Sequence, residues 1–261
     1  MGELIKAIIL GFVQGFTEFL PVSSSGHLLV FRKLFGLAEA GLFLDTMLHF
    51  GTLVAVLAVF WRDVWDMIRR PFSRLTLLVV TATIPTALIG LLFKDLFEEL
   101  AVSGVTAGWE FLATGVILWL ADSLKDRGYK NIEKISYKDA LVVGTLQGVA
   151  ILPAISRSGL TIAGAFFQGI DRNTAARFSF LVSIPAIMGA VVLQSKDLLE
   201  GAAGMIGALP LAAGTLMAAV TGYIAVKWML SIIRRGSLKV FAVYVWILGA
   251  IILVLQLLGK F

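Results

Sequence analysis

The chain of 261 residues has no cysteine, only two histidines and six prolines, and only 15% of its side chains are charged. The missing cysteines exclude disulfides, thiolate nucleophiles and cysteine-ligated metals. The shortage of charge excludes an ordinary soluble domain, in which about a quarter of residues are charged. What is present in excess is apolar. Hydrophobic residues make up 59% of the chain and the mean hydropathy is +0.93, a composition suited to a bilayer. The formal charge of +5 does not point to nucleic acid, because the basic residues fall mainly in short loops between apolar segments, where they report orientation. The N-terminus has an acidic residue at its start, a polar interior and no small-residue cleavage site after an apolar core, so it reads as mature protein.

A bilayer core takes about 20 apolar residues per helix. Six segments meet that length: 42–60, 75–93, 105–121, 175–194, 206–226 and 238–258. Two further apolar stretches, 3–36 and 140–170, are interrupted by PVSSSGH at 21–27 and PAISRSG at 153–159. Neither half of either stretch is long enough to span. Irregular backbone at membrane depth is tolerated only inside protein or beside water, so both stretches read as re-entrant helix–loop–helix hairpins. The expected fold class is an all-α polytopic membrane protein, six transmembrane helices plus two re-entrant hairpins, in a single membrane domain over 1–261.

Basic residues mark three loops as cytoplasmic: Arg62, Arg69, Arg70 and Arg74; Lys125, Arg127, Lys130, Lys134 and Lys138; Lys227, Arg234, Arg235 and Lys239. Alternation of the spans then requires the first hairpin to open outward and the second toward the cytoplasm. Arg32 and Lys33 run against that orientation.

Sliding the chain by 133 residues pairs Gly11, Gln14, Gly15, Ser23, Ser25 and Gly26 with Gly144, Gln147, Gly148, Ser156, Ser158 and Gly159. The same shift superposes the apolar segments, which predicts two repeats at about 1–133 and 134–261. Each repeat holds an odd number of spans, so the second copy is inverted, an arrangement whose sites lie near the midplane where interrupted helices meet.

The polar residues of the two interruptions are the candidate site. In the first, Gln14, Glu18, Ser23, Ser24, Ser25 and His27 lie within fourteen positions of an otherwise apolar chain. A charge at the centre of a membrane helix costs on the order of 3 kcal/mol, so an acid kept there is a functional candidate; the bland alternative is polar glue between helices. Pro21 ends the first half-helix, and Ser23 or Ser24 caps the next, whose free N–H groups favour an anion. Ser24 and His27, three apart, form a nucleophile–base pair in outline. In the second interruption Ser156, Arg157, Ser158 and Thr161 surround a guanidinium that suits phosphate oxygens. Its bland reading is an Arg157–Glu18 pair formed to satisfy burial. Asp45 and His49, spaced i, i+4, read as a satisfied pair, a proton path or an outer support of the site, with support favoured over direct chemistry; Glu110 and Arg177 read as snorkelling side chains near segment ends.

These two motifs resemble the undecaprenyl-diphosphate phosphatase family associated with bacitracin resistance. The block from Gln14 through Glu18 to His27 is similar to the family's glutamate-rich motif, and the block from Pro153 through Arg157 to Thr161 to its Pro-Gly-x-Ser-Arg-Ser motif, with Ala154 in place of the usual Gly. A positive-φ turn at that Gly would strain the alanine. The resemblance implies hydrolysis of a polyprenyl diphosphate to the monophosphate in the cell (inner) membrane, at a site opening to the extracytoplasmic side. It makes Glu18, Ser24, His27 and Arg157 catalytic, with Gln14, Ser23, Ser25, Ser156, Ser158 and Thr161 binding substrate. It also implies a divalent cation, Mg²⁺ or Ca²⁺, with Glu18 as ligand. Partners are then the lipid substrate and membrane lipids, with no nucleic acid and a homodimer left open. Attack by Ser24 and attack by water both remain open. The competing reading is a transporter or flippase of a phosphorylated lipid or small anion.

Overall fold

The computed structural model describes residues 2–36, 41–199 and 207–261. Apart from one isolated bridge between Lys130 and Ile170, regular structure among them is helical. In chain order the helices are α1 (Glu3–Glu18), α2 (Ser24–Phe35), α3 (Gly41–Val59), α4 (Trp61–Arg69), α5 (Arg74–Leu92), α6 (Lys94–Ser103), α7 (Ala107–Asp122), α8 (Tyr137–Val149), α9 (Arg157–Phe167), α10 (Arg172–Leu199), α11 (Ala208–Arg235) and α12 (Lys239–Leu257).

Four helical stretches are long and apolar enough to cross a membrane: Arg74–Leu92, Arg172–Leu193, Ala208–Arg234 and Lys239–Leu257. Two more qualify if a bent pair is one span, Leu44–Val59 with Trp61–Arg69, bent by 80°, and Lys94–Ser103 with Ala107–Asp122, bent by 107°. The short partners α4 and α6 fall where the sequence suggests only loops. Their residues explain the difference. In α4 the apolar Trp61, Trp65 and Ile68 are exposed, on an amphipathic turn flanked by arginines that stack on the tryptophans. In α6 Asp95 favours the first turn and Gly104, at φ 66°, ends the helix. The outer faces of the long helices are apolar and exposed, as Val80, Ile84 and Leu88 on α5 and Ile247, Ile251 and Val254 on α12 show.

The helix pairing crosses between the two halves of the chain. α1 packs along α11, and α8, its counterpart under the 133-residue shift, packs along α5. Glycine allows the close approach: a Cβ on Gly11 would strike the backbone of Gly214, and one on Gly144 the carbonyl of Ala82. α3 packs against α10 and α7 against α12, so these counterparts meet each other.

Both ends of the first interrupted stretch lie together, since the Lys6 ammonium donates to the Phe35 carbonyl at 2.8 Å. At the second stretch Lys130 joins the two ends, its ammonium pairing with Asp139 at 2.9 Å and its amide donating to the Gly169 carbonyl at 3.0 Å. The three basic loops also gather. Arg74 donates to Ile135 at 2.6 Å, the Leu238 amide to Asp122 at 2.7 Å, and Arg172 to Arg234 at 3.0 Å.

Candidate active site

The two interruptions meet inside the bundle and are tied to each other through main-chain carbonyls. Ser23 donates to the Pro153 carbonyl at 3.0 Å and Ser158 to the Leu20 carbonyl at 2.8 Å; Leu20 and Pro153 are equivalent under the shift. Each loop opens a helix through a capping serine. The Ser23 hydroxyl accepts from the Gly26 amide at 3.2 Å and the Ser156 hydroxyl from the Gly159 amide at 3.1 Å, so the N-termini of α2 and α9 carry free N–H groups beside one another.

Glu18 is the centre of the cluster. It is buried at 5% exposure, at the last turn of α1, where the helix breaks before Pro21. One carboxylate oxygen pairs with the Arg157 guanidinium; the other accepts the Gln14 amide at 2.8 Å and the Ser24 hydroxyl, with the His49 Nε2 3.7 Å away. Arg157 is the first residue of α9 and also donates to the Ser183 carbonyl at 3.3 Å. The space at the pair is lined by Thr161, Ser179 and Ser183. The hydroxyls of Thr161 and Ser179 are 2.5 Å apart. Ser179 and Ser183 come from α10, whose sequence carries no motif that singles them out.

The remaining predicted site residues divide. Ser23, Ser156 and Ser158 are buried, and their hydroxyls hold the loops as described. Ser25 is exposed. His27 is buried but is not the partner of Ser24. Its Nδ1 lies 2.6 Å from the Ser23 carbonyl and its Nε2 2.7 Å from the Tyr244 hydroxyl. Shared helical face is not shared direction: the Ser24 hydroxyl turns to Glu18 and the His27 ring turns to α12.

Three other expectations are corrected. Asp45 and His49 do not pair through their side chains: the His49 ring donates to the Asp45 carbonyl at 2.8 Å, and the Asp45 carboxylate pairs with Arg32 at 3.2 Å. That buried pair also removes Arg32 from the loop charges that had run against the orientation. Glu110 does not snorkel. It is 6% exposed and accepts the Ala154 amide at 2.6 Å. Ala154 is unstrained, since the only non-glycine among the described residues with positive φ is Ser23.

A cation such as Mg²⁺ or Ca²⁺ takes hard oxygen donors. The buried Oε1 of Gln14 has no hydrogen-bond partner and lies on the side chain that already touches Glu18, so a carboxylate and a carbonyl oxygen are both offered. No group of three His, Cys, Asp or Glu suited to a metal occurs among the described residues. The donor set therefore fits a cation completed by substrate oxygens.

The family described as Bacitracin resistance protein BacA matches residues 7–251 of the chain. Among curated relatives, undecaprenyl-diphosphatase 3 of Bacillus cereus is 54% identical over 98% of this chain and 99% of its own. The undecaprenyl-diphosphatase of Carboxydothermus hydrogenoformans is 55% identical over 98% of each. That of Halothermothrix orenii is 46% identical over 97% of this chain and 98% of its own.

Proposed function

The chain belongs to the bacitracin resistance protein BacA family and hydrolyses undecaprenyl diphosphate to the monophosphate and inorganic phosphate; we propose that the reaction takes place where Glu18 meets Arg157. The observation that carries this reading is that pair itself, a carboxylate from one interruption and a guanidinium from the other. A buried ion pair is weak evidence of stability, because desolvation offsets its attraction. It is a good resting state for a site whose ligand brings two phosphates. On binding, Arg157 turns its planar donors from Glu18 to the phosphate oxygens, and the N–H groups opening α2 and α9 add further donors.

Freed from Arg157, Glu18 is the base. Its carboxylate already accepts the Ser24 hydroxyl, which favours the serine route over direct attack by water. The Ser24 oxygen attacks the terminal phosphorus, its proton passes to Glu18, and the bond to the bridging oxygen breaks to release the lipid monophosphate. Water then attacks the phosphoserine, inorganic phosphate leaves, and the proton held by Glu18 returns to the Ser24 oxygen. Glu18 and Gln14 would hold the divalent cation, which supplies neutralisation of phosphate charge when bound. Thr161, Ser179 and Ser183 line the space beside the pair and offer hydroxyl groups to the phosphate oxygens.

The two halves are read as inverted repeats, with the interrupted stretches re-entrant from opposite sides. The crossed packing of α1 on α11 and α8 on α5 supports this, as do the paired stretch ends. The end where the basic loops gather is assigned to the cytoplasm, and the first hairpin opens to the other side, where the substrate enters. The test is phosphate release by purified protein in detergent, which needs no sealed membrane. Glu18→Gln and Arg157→Ala should abolish release while the helical protein is retained; near-normal turnover in either rules the site out.

A further inference from the structure

Ser23 has φ 65° and ψ 100°, a conformation that costs a non-glycine residue about 1–3 kcal/mol and persists only where neighbours hold it. It immediately precedes Ser24, so it sets where the Ser24 hydroxyl points. Two of the neighbours that hold it meet its hydroxyl: the Pro153 carbonyl of the other interruption and the local Gly26 amide. The Ser23 carbonyl is held by His27, whose backbone amide lies at 3.3 Å and whose Nδ1 lies at 2.6 Å.

A carbonyl can only accept, so Nδ1 must carry the ring hydrogen. In the neutral ring Nε2 is then a lone pair, and the Tyr244 hydroxyl, 2.7 Å away, donates to it. The two rings lie 9° from parallel, and Phe111 meets the His27 ring edge-on with centroids 5.7 Å apart. Both ring nitrogens are engaged, and neither meets the Ser24 hydroxyl, which donates to Glu18.

We propose that Tyr244 is a positioning residue for the hydrolysis: through the His27 ring it holds the Ser23 carbonyl in place and so aims the Ser24 hydroxyl at Glu18. The inference rests on the reading of Ser24 and Glu18 as the reacting pair. Without Tyr244 the buried Nε2 lone pair has no donor, so the ring is free to turn toward another one and to let go of the Ser23 carbonyl. Arg157 and the N-terminus of α9 are untouched by this chain of contacts, so the effect falls on turnover more than on phosphate binding.

The experiment measures phosphate release from undecaprenyl diphosphate by the purified full chain in detergent, with melting temperatures for every variant. Tyr244→Phe should lower kcat roughly 10-fold to 100-fold with KM and melting temperature nearly unchanged. His27→Asn keeps an amide donor near the Nδ1 position and should retain clearly more activity than His27→Gln, whose amide falls near Nε2. Adding Tyr244→Phe to His27→Asn should cost nothing further, because the link is already cut. Equal losses in the Asn and Gln variants, a further loss in the double variant, or full kcat in Tyr244→Phe overturns the inference while leaving the Glu18–Arg157 site standing. Full kcat in Ser24→Ala overturns the serine reading and the inference with it.

Discussion

The Glu110 carboxylate on α7 accepts the Ala154 backbone amide at 2.6 Å and, through its other oxygen, the Thr106 hydroxyl at 2.5 Å. Bonds to an ionised acceptor are roughly twice as strong as neutral ones, so Glu110 fixes the second loop just before Arg157. Glu110→Ala should lower kcat/KM roughly 10-fold to 100-fold, and Glu110→Gln less, since its amide oxygen still accepts. Phosphate release alongside helical content by circular dichroism checks this.

Glycine packing gives a stability prediction with an internal control. Gly144→Ala puts a methyl group against the Ala82 carbonyl, a backbone partner that cannot turn aside. The expected loss is about 1–3 kcal/mol, seen as a lowered melting temperature. Gly189→Ala on α10 meets nothing within 4 Å and should leave the melting temperature unchanged or raised.

The cation is tested through Gln14. Chelation should suppress phosphate release, with recovery on adding Mg²⁺ or Ca²⁺. Gln14→Leu removes the unpartnered Oε1 and should raise the cation concentration needed for half-activity roughly 10-fold. An unchanged cation midpoint in Gln14→Leu removes that side chain from the cation site.

Asp139, in the first turn of α8, links the basic loop to the second hairpin. Burial alone would raise its pKa, but hydrogen bonds from Lys130 and Ser136 outweigh burial and hold it below the usual carboxylate range. A folded-state pKa below the unfolded one means that the stabilisation is complete above about pH 4 and fades as the pH falls through the lower folded value. Asp139→Asn should therefore melt lower than the parent at neutral pH, by about 1–2 kcal/mol through the lost capping box and ion pair. The gap should narrow in acid. Melting curves across pH measure it.

The long helices and the two interruptions were legible because composition alone determines them: an apolar run of sufficient length, and a Pro/Ser/Gly break within it. Direction was not legible. Ser24 and His27 share a face by spacing, yet the positive φ at Ser23 and the approach of α12 send them to different partners. Glu110 looked like an interfacial acid because nothing in its own helix reveals that residue 154 arrives beside it. Ser179, Ser183 and Tyr244 sit in segments with no break and no cluster, and only tertiary packing brings them to the loops.

The crossed packing also fixes an order of assembly. α1 carries Glu18 and is made first, but the groove it lies in is provided by α11, which leaves the ribosome near the end of synthesis. Until then the acid, Gln14 and the first loop lack their supporting helix, even though Arg157 on α9 has already been made. A chain stalled before α11 holds both the carboxylate and the guanidinium but not the groove that seats the carboxylate's helix.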